Sequence, residues 1–323
     1  MHAMCAAPSF DDGTAAIDFA DYLEAKFALD ERSLNPAVRQ ACTERLAARR
    51  GVVRWLDVGT GTGAMIRRLL ELKLPASLAI TALDQDATLL AIASDAIAPR
   101  LEREGYRVSL HSEGIEAKRS GQRILIEFRC CGLFDFEPGT LARYDLITAH
   151  AVMDIVPVKH TVSRFSAWLE HGGMLYASLN YDGDTALFPL YRDNAFEAAV
   201  LAEYNASMER RLVQGAATGG ARSGRRVHAA LCDAPFGVVA YGSSDWDITP
   251  REGRYRDRDD DVLSTLLAWI RGESEGRPGI DADRLARWYA ERRTQIENRE
   301  LGMIVHQLDV LAVLQRRGFT AFT

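Results

Sequence analysis

Three glycines at alternate positions, Gly59, Gly61 and Gly63, follow an apolar run at 52–58. They precede a segment in which Met65, Ile66, Leu69 and Leu70 recur at helical spacing. A glycine turn between a strand and a helix lets a ligand approach backbone N–H groups at the helix N-terminus. The spacing also fits a dinucleotide fingerprint of the G-x-G-x-x-A kind, through Gly59, Gly61 and Ala64. The discriminating residue is Asp57, two positions before the first glycine. A pyrophosphate resting on this turn would face the Asp57 carboxylate, and like charges at close range repel.

Two more acids close apolar runs downstream. Asp84 lies 25 residues after Gly59, the spacing of a carboxylate that holds both ribose hydroxyls of a bound nucleoside. Asp135, within Leu133-Phe134-Asp135-Phe136, ends the third expected core strand, where an acid can accept from an adenine amino group. S-adenosylmethionine suits this set. It has no phosphate, and its ammonium and sulfonium make an acid at position 57 an asset. An alternative reading of Asp57 is a cap for the following helix, and of Asp84 a surface turn acid.

The run Trp55-Leu56-Asp57-Val58-Gly59-Thr60-Gly61-Thr62-Gly63 is followed by Ala82-Leu83-Asp84-Gln85-Asp86 and Phe134-Asp135-Phe136. Tyr144-Asp145-Leu146-Ile147-Thr148-Ala149-His150 and Gly172-Gly173-Met174-Leu175-Tyr176 come later. Together these resemble class I S-adenosylmethionine-dependent methyltransferases, over residues 50–182. The resemblance implies an α/β fold with a doubly wound, seven-stranded, mostly parallel Rossmann-like sheet. Its last strand should be antiparallel, at 303–313. It also implies that S-adenosylmethionine is held by Asp57, Gly59, Thr60, Gly61, Gly63, Asp84, Gln85, Asp135, Phe136 and His150.

Methyl transfer is an in-line displacement at an already activated carbon, so the protein supplies alignment and exclusion of water. An oxygen nucleophile needs a base as well, and histidine serves near neutral pH. His150 ends the fourth core strand, where ligands collect in such sheets. Asp154 follows four residues later and shares its side if 151–155 turns helically. The pair is the expected catalytic unit, unless His150 only borders the cofactor. Asn180 and Tyr181, with Asp182 and Asp184 behind them, are expected to face the acceptor. Trp246 forms either an apolar wall of that site or packed core, and His306 on the last strand reads as a core or edge histidine. Arg32 and Arg39 could reach a methionine carboxylate or stay exposed. The Asn/Asp-Pro-Pro-Tyr signature for exocyclic base amines is absent, and His150-Ala151-Val152-Met153 stands in its place. Cys130 and Cys131 lie in no Pro-Cys motif and read as strand core. Arg222, Arg225 and Arg226 form a basic cluster beside a glycine-rich loop, either solvated or gripping an anionic group.

The elements that must position these groups alternate in type. Helical spacing at 15–50 precedes the 52–58 strand, and strands at 78–83, 123–131, 144–149 and 173–179 alternate with helices at 64–73, 87–104 and 162–169. A break or kink is expected near Pro99, and 106–110 is expected to form an inserted hairpin with 123–131. Such alternation makes parallel β-α-β units. Past residue 184 the rhythm changes: helices at 196–212, 225–233, 262–271 and 283–300 surround a strand at 236–241. The expected organisation is a helical cap at 1–50, a cofactor-binding core at 51–183, and a lid with the last sheet strands at 184–323.

The chain has 323 residues, 47% hydrophobic and 26% charged, which is globular composition with length for a full core. Lys and Arg number 39 against 45 Asp and Glu, a net charge of −6 that offers no general attraction to nucleic acid or anionic membranes. The five cysteines form no C-x-x-C pair and no zinc spacing, so no metal is expected. With no signal-like start and no long apolar run, a cytoplasmic protein is expected, without membrane contact and compatible with a homodimer. The expected activity is methyl transfer to a small-molecule acceptor, on oxygen or nitrogen. Methylation of RNA or protein, a non-methylating protein or lyase of the same fold, and a nicotinamide-dependent oxidoreductase are the alternatives.

Overall fold

The computed structural model describes residues 18–72, 77–139 and 143–315. Residues 15–17 of the expected first helix, Lys73 at the end of the helix after the glycine turn, and Cys5 lie outside the described residues.

Three helices lead this chain: α1 (Phe19–Ala25), α2 (Phe27–Ser33) and α3 (Pro36–Ala47). Asn35 starts α3, its Oδ1 accepting from the Ala37 and Val38 amides at 3.1 Å each, and Pro36 stands where no N–H is missed. The alternation then begins with β1 (Val52–Val58), α4 (Ala64–Leu70), β2 (Ser77–Asp84) and α5 (Ala87–Arg103). Asp86 caps α5 through the Thr88 and Leu89 amides. The expected break at Pro99 does not end this helix. The missing N–H costs one hydrogen bond, and the burial of Ile97, Ala98 and Leu101 around it keeps the helix going.

Three strands follow: β3 (Arg107–His111), β4 (Gly114–Arg119) and β5 (Gln122–Cys130). The polar stretch between the two expected hairpin strands thus itself holds a strand, and the turn at Ser120 and Gly121 takes positive φ angles of 33° and 83°. Next come β6 (Tyr144–His150), α6 (Val158–Trp168) and β7 (Leu169–Phe188). The last part contains α7 (Asn194–Glu209), β8 (Leu212–Val213), β9 (Ala216–Ala217), α8 (Ser223–Cys232), β10 (Phe236–Ser243) and β11 (Trp246–Ile248). It closes with α9 (Asp259–Ser274), α10 (Ala282–Glu297) and β12 (Gly302–Leu314).

The main sheet runs β10-β12-β7-β6-β1-β2-β5-β4-β3, with β11 beside β12. Strands β5, β2, β1, β6 and β7 are parallel, and β12 lies antiparallel between β7 and β10. The doubly wound sheet with an antiparallel last strand is therefore present, widened at one edge by β3 and β4. Strand β7 is longer than its sequence suggests because β12 pairs with it as far as Phe188, opposite Gly302. The boundary expected at 183 falls inside this strand.

Helices α3, α4 and α5 cover one sheet face around Val38, Leu46, Trp55, Ile66 and Ile97. Helices α6 and α8 cover the other around Val162, Phe165, Val227 and Leu231. A third apolar cluster joins α1, α2, α7, α9 and α10 to the far ends of β7 and β12, through Tyr22, Leu29, Phe196, Leu263 and Trp288. The segment after 184 is therefore divided: α8 and β10 belong to the sheet body, while α7, α9 and α10 join the N-terminal helices. Among the described residues no helix is long and apolar enough to cross a membrane.

Candidate functional site

The chain order reverses at β1, between β2 and β6, and the crevice past the carboxyl ends of such strands is where ligands bind in doubly wound sheets. The glycine turn sits there. Gly59, Gly61 and Gly63 have φ angles of +65°, +52° and +81°, and a Cβ on Gly59 would lie 2.5 Å from Val152 Cγ2. The Gly59 and Thr60 amides donate to the Leu83 carbonyl at 2.9 and 3.0 Å, tying the turn to β2.

Asp57 is 1% exposed. Its Oδ1 accepts from Thr148 Oγ1 at 2.5 Å, and that hydroxyl in turn accepts from Trp55 Nε1 at 2.7 Å. Its Oδ2 is buried with no partner. Burial pushes the carboxyl up to about 7, against the Thr148 and Thr60 hydroxyls and with help from Asp84. Thr60 Oγ1 donates to the Asp57 carbonyl at 3.1 Å, so this side chain braces the turn. Asp84 clamps the same turn: Oδ2 accepts from the Gly61 amide at 2.8 Å and Oδ1 from the Asp86 amide at 3.0 Å. Burial raises its pKa. Gln85 beside it is exposed.

Asp135 does not end a strand. Strand β5 stops at Cys130, and Asp135 is exposed in a turn whose amides at Asp135 and Phe136 donate to the Gly132 carbonyl at 3.0 Å. Phe136 is buried edge-on against Trp168, with ring centroids 5.5 Å apart, so it belongs to the core rather than to an open binding surface. Cys130 is exposed and Cys131 partly so, because the strand ends there; neither is core.

His150 ends β6 with both ring nitrogens engaged: Nδ1 is 2.8 Å from Ser178 Oγ, and Nε2 lies 3.1 Å from Asp30 Oδ2 and 3.0 Å from Arg68 Nη1. Burial and the Arg68 guanidinium pull its pKa down to about 4, against Asp30. The expected pairing with Asp154 is not made. The chain does not turn helically after His150, because Ala151 adopts φ +54° and its amide donates to the Ser178 carbonyl. Asp154 accepts through its backbone carbonyl from the Gly220 amide at 2.9 Å. Its Oδ1 is buried and has no hydrogen-bond partner, and burial pushes its carboxyl up to about 6.

The remaining candidates are mostly committed within the fold. Asn180 Nδ2 donates to the Leu308 carbonyl at 2.7 Å, and Tyr181 Oη donates to Asn205 Oδ1 at 2.7 Å. Trp246 is core: it packs in the helical layer, and its Nε1 donates to Asp30 Oδ1 at 3.0 Å. His306 Nδ1 is 2.8 Å from Asp245. Arg32 is bound by Asp259 and Arg39 by Glu31, so neither is a spare cation. Asp182 holds Arg225 and Glu209 holds Arg226, which neutralises two of the three arginines of the basic cluster. Arg222 and Asp184 are exposed.

One constellation had no visible signal in the sequence. Lys26, Asp30 and Arg68 are all buried, at 6%, 1% and 1% exposure. Lys26 Nζ lies 2.5 Å from Asp30 Oδ2, and Arg68 Nε donates to Glu31 Oε2 at 3.0 Å while its Nη2 donates to the Phe27 carbonyl at 2.9 Å. The Arg67 and Arg68 guanidinium groups lie over the Phe27 ring. This network fastens α2 to α4 and β6. It also brings Leu23 of α1 over the turn, 3.2 Å from where a Cβ on Gly61 would lie.

No family model matches the chain, and no curated protein matches it. Among solved structures it is similar to an S-adenosylmethionine-dependent methyltransferase of Thiobacillus denitrificans in complex with S-adenosyl-L-homocysteine. That likeness has 17% identity over 90% of this chain and 98% of that one, with a TM-score of 0.42. It is also similar to the YcgJ protein of Bacillus subtilis, at 12% identity over 88% and 100% of the two chains and a TM-score of 0.45. Geranyl diphosphate C-methyltransferase of Streptomyces coelicolor shares 12% identity over 86% and 80%, with a TM-score of 0.40. At these identities and scores, the reading of the site rests on its own geometry.

Proposed function

We propose that this chain is an S-adenosylmethionine-dependent methyltransferase acting on a small-molecule acceptor. The reading is carried by Asp57 Oδ2, which is buried without a partner beside three glycines of positive φ. An unsatisfied buried polar group costs about 1–3 kcal/mol, more if charged. A cationic ligand removes that cost, and a pyrophosphate adds to it. The residues present therefore fit a sulfonium nucleoside better than a dinucleotide. S-adenosylmethionine supplies a methyl group activated for displacement.

The chain's residues would do the rest. Asp84 would accept from ribose hydroxyls with the lone pairs left over from Gly61 and Asp86. Asp57 would meet the cationic end. Leu23 and Val152, against the turn, exclude water, which strengthens each of these contacts. The net charge of −6 and the neutralised arginines at 225 and 226 favour a small acceptor over nucleic acid.

Isothermal calorimetry with S-adenosylmethionine, S-adenosylhomocysteine and NAD tests the reading. Binding of the two sulfur nucleosides but not NAD is expected. Preference for NAD overturns it.

A further inference from the structure

We infer that the cavity between α7 and the start of α8 is a binding site for a small aliphatic monocarboxylate, with Arg222 as its anchor. The three arginines at 222, 225 and 226 part company in the structure. Arg225 is held by Asp182 and Arg226 by Glu209. The Arg222 side chain has neither an ion pair nor a hydrogen bond among the described residues, and it lines a cavity of about 390 Å³. That volume lies within the range of small-molecule pockets.

The walls of the cavity are fixed by their own contacts. Arg226 Nη1 donates to Glu209 Oε1 at 3.1 Å and to the Gly219 carbonyl at 2.7 Å, while its Nη2 lies 2.9 Å from Glu209 Oε2. Glu209 Oε1 also accepts from the Ala221 amide at 3.1 Å. Asn205 Oδ1 accepts from Tyr181 Oη, and its Nδ2 donates to the Gly183 carbonyl at 2.9 Å. An amide nitrogen carries two hydrogens, so Asn205 keeps one donor for a ligand. The other lining residues, Gly183, Ala206 and Ala221, have nothing beyond a Cβ to fill the space. The segment that enters α8 rests on the turn after β6, where the Gly219 and Gly220 amides donate to the Val156 and Asp154 carbonyls at 2.9 Å each.

Charge selects the ligand. Glu209 and Arg226 cancel, so the lining keeps the single positive charge of Arg222, which a monoanion balances. The planar guanidinium offers paired N–H donors that match the two oxygens of a carboxylate. A phosphate dianion would exceed the charge available, and an amine would be repelled by Arg222. No aromatic or large apolar side chain lines the cavity, which favours a short chain over a ring. Glu209 and Arg222 are exposed, so the mouth meets water. An exposed ion pair contributes little alone, and binding therefore needs the cavity as well as the charge.

Saturation-transfer NMR titrations with butyrate, butylamine and propylphosphonate, in chloride buffer of fixed ionic strength, test the inference. Butyrate is expected to bind most tightly of the three. Arg222→Gln should weaken it at least tenfold with thermal melting unchanged, because Arg222 holds nothing else in the fold. Ala206→Leu leaves every charge in place but fills the cavity, and should also weaken butyrate at least tenfold. No butyrate binding, a preference for the amine or the phosphonate, or butyrate affinity unchanged in either variant overturns the inference. The methyltransferase reading turns on sulfur-nucleoside binding and is untouched by any of these results.

Discussion

His150 Nε2 lies 3.1 Å from Asp30 Oδ2, and the two residues are 120 positions apart in the chain. The contact joins the carboxyl end of a central strand to a helix near the start of the chain. Leu23 of α1 lies against Gly61, so the N-terminal helices also border the glycine turn. Asp30 also accepts from Lys26 and from Trp246. One buried carboxylate thus organises groups from α2, β6 and β11.

Asp30→Asn should be among the most damaging single changes in the N-terminal helices. Removing one partner of a buried ionic cluster costs about 3–5 kcal/mol, because the remaining charges stay buried. Burial pushes the Asp30 carboxyl up, but Lys26, His150 and Arg68 outweigh it and hold the carboxyl well below the usual range. A carboxyl with a depressed folded pKa stabilises the fold above its unfolded value of about 3.9, and that stability is lost as pH falls below it. Urea denaturation at pH 7 checks the cost. A loss under 1 kcal/mol would show that Lys26 and Arg68 find other partners.

Asp57 makes the opposite kind of prediction. Its carboxyl is pushed up to about 7, so the folded chain binds a proton there more tightly than the unfolded chain does. Stability from this group is greatest at acid pH and is lost as pH rises through about 7, at up to about 1.4 kcal/mol per pH unit. Asp57→Asn should therefore stabilise the ligand-free protein at pH 8, and this gain should shrink as pH falls below about 7 and vanish only near the unfolded value of about 3.9. The same change should weaken S-adenosylmethionine binding at least tenfold at pH 8. Melting curves and calorimetry across this range decide it. A variant that is less stable at every pH contradicts the role given to Oδ2.

Much of this was legible from residue order. The glycine turn, Asp57 and Asp84 are close in sequence to the strands that place them, and the parallel core followed from alternating periodicity. The β3–β4–β5 meander was harder to read because its middle strand is polar and half exposed. The length of β7 depends on β12, a pairing across more than a hundred residues that no local pattern carries. The Lys26–Asp30–Arg68 cluster was invisible for the same reason. Lys26 and Asp30 look like an ordinary exposed pair on a helix, and only the arrival of α4 and β6 buries them.

Asp84 ties the glycine turn to the start of α5. Asp84→Ala removes the acceptor for the Gly61 amide and, on the proposed function, the one offered to ribose hydroxyls. A charged hydrogen bond contributes about 1.5–3 kcal/mol, so S-adenosylmethionine affinity should fall about tenfold to a hundredfold. Circular dichroism should show the fold retained. Unchanged affinity removes Asp84 from the site.

Gly59 tests the turn itself. Alanine there must hold φ near +65°, which costs about 1–2 kcal/mol for a residue with a Cβ. Its methyl must also displace Val152 Cγ2. Gly59→Ala should lower stability by about 2 kcal/mol or more in total. Adding Val152→Ala should relieve the clash but not the backbone strain, so part of the loss should return. Full recovery in the double variant would mean that the left-handed backbone costs nothing there.

The last prediction concerns the titration of His150. Burial and Arg68 hold the ring neutral, with a pKa of about 4, while the ring of an unfolded chain charges near 6.5. Lowering pH through 6.5 and on towards 4 therefore favours unfolding, by up to about 1.4 kcal/mol per unit for this group. The groups facing the ring are Asp30 and Lys26 of the N-terminal segment, Arg68 of α4 and Ser178 of β7. None leaves it free to exchange a proton with a substrate. A pH–rate profile should accordingly show no inflection near 6.5 that is assignable to His150. His150→Gln, which keeps hydrogen-bonding atoms in similar positions, should retain turnover to within about tenfold, well short of the 10²–10⁴-fold loss expected on removing a general base. The variant should also lose the acid-side fall in stability that belongs to the ring. A loss of a hundredfold or more in turnover, at unchanged cofactor affinity and stability, would return the base role to His150.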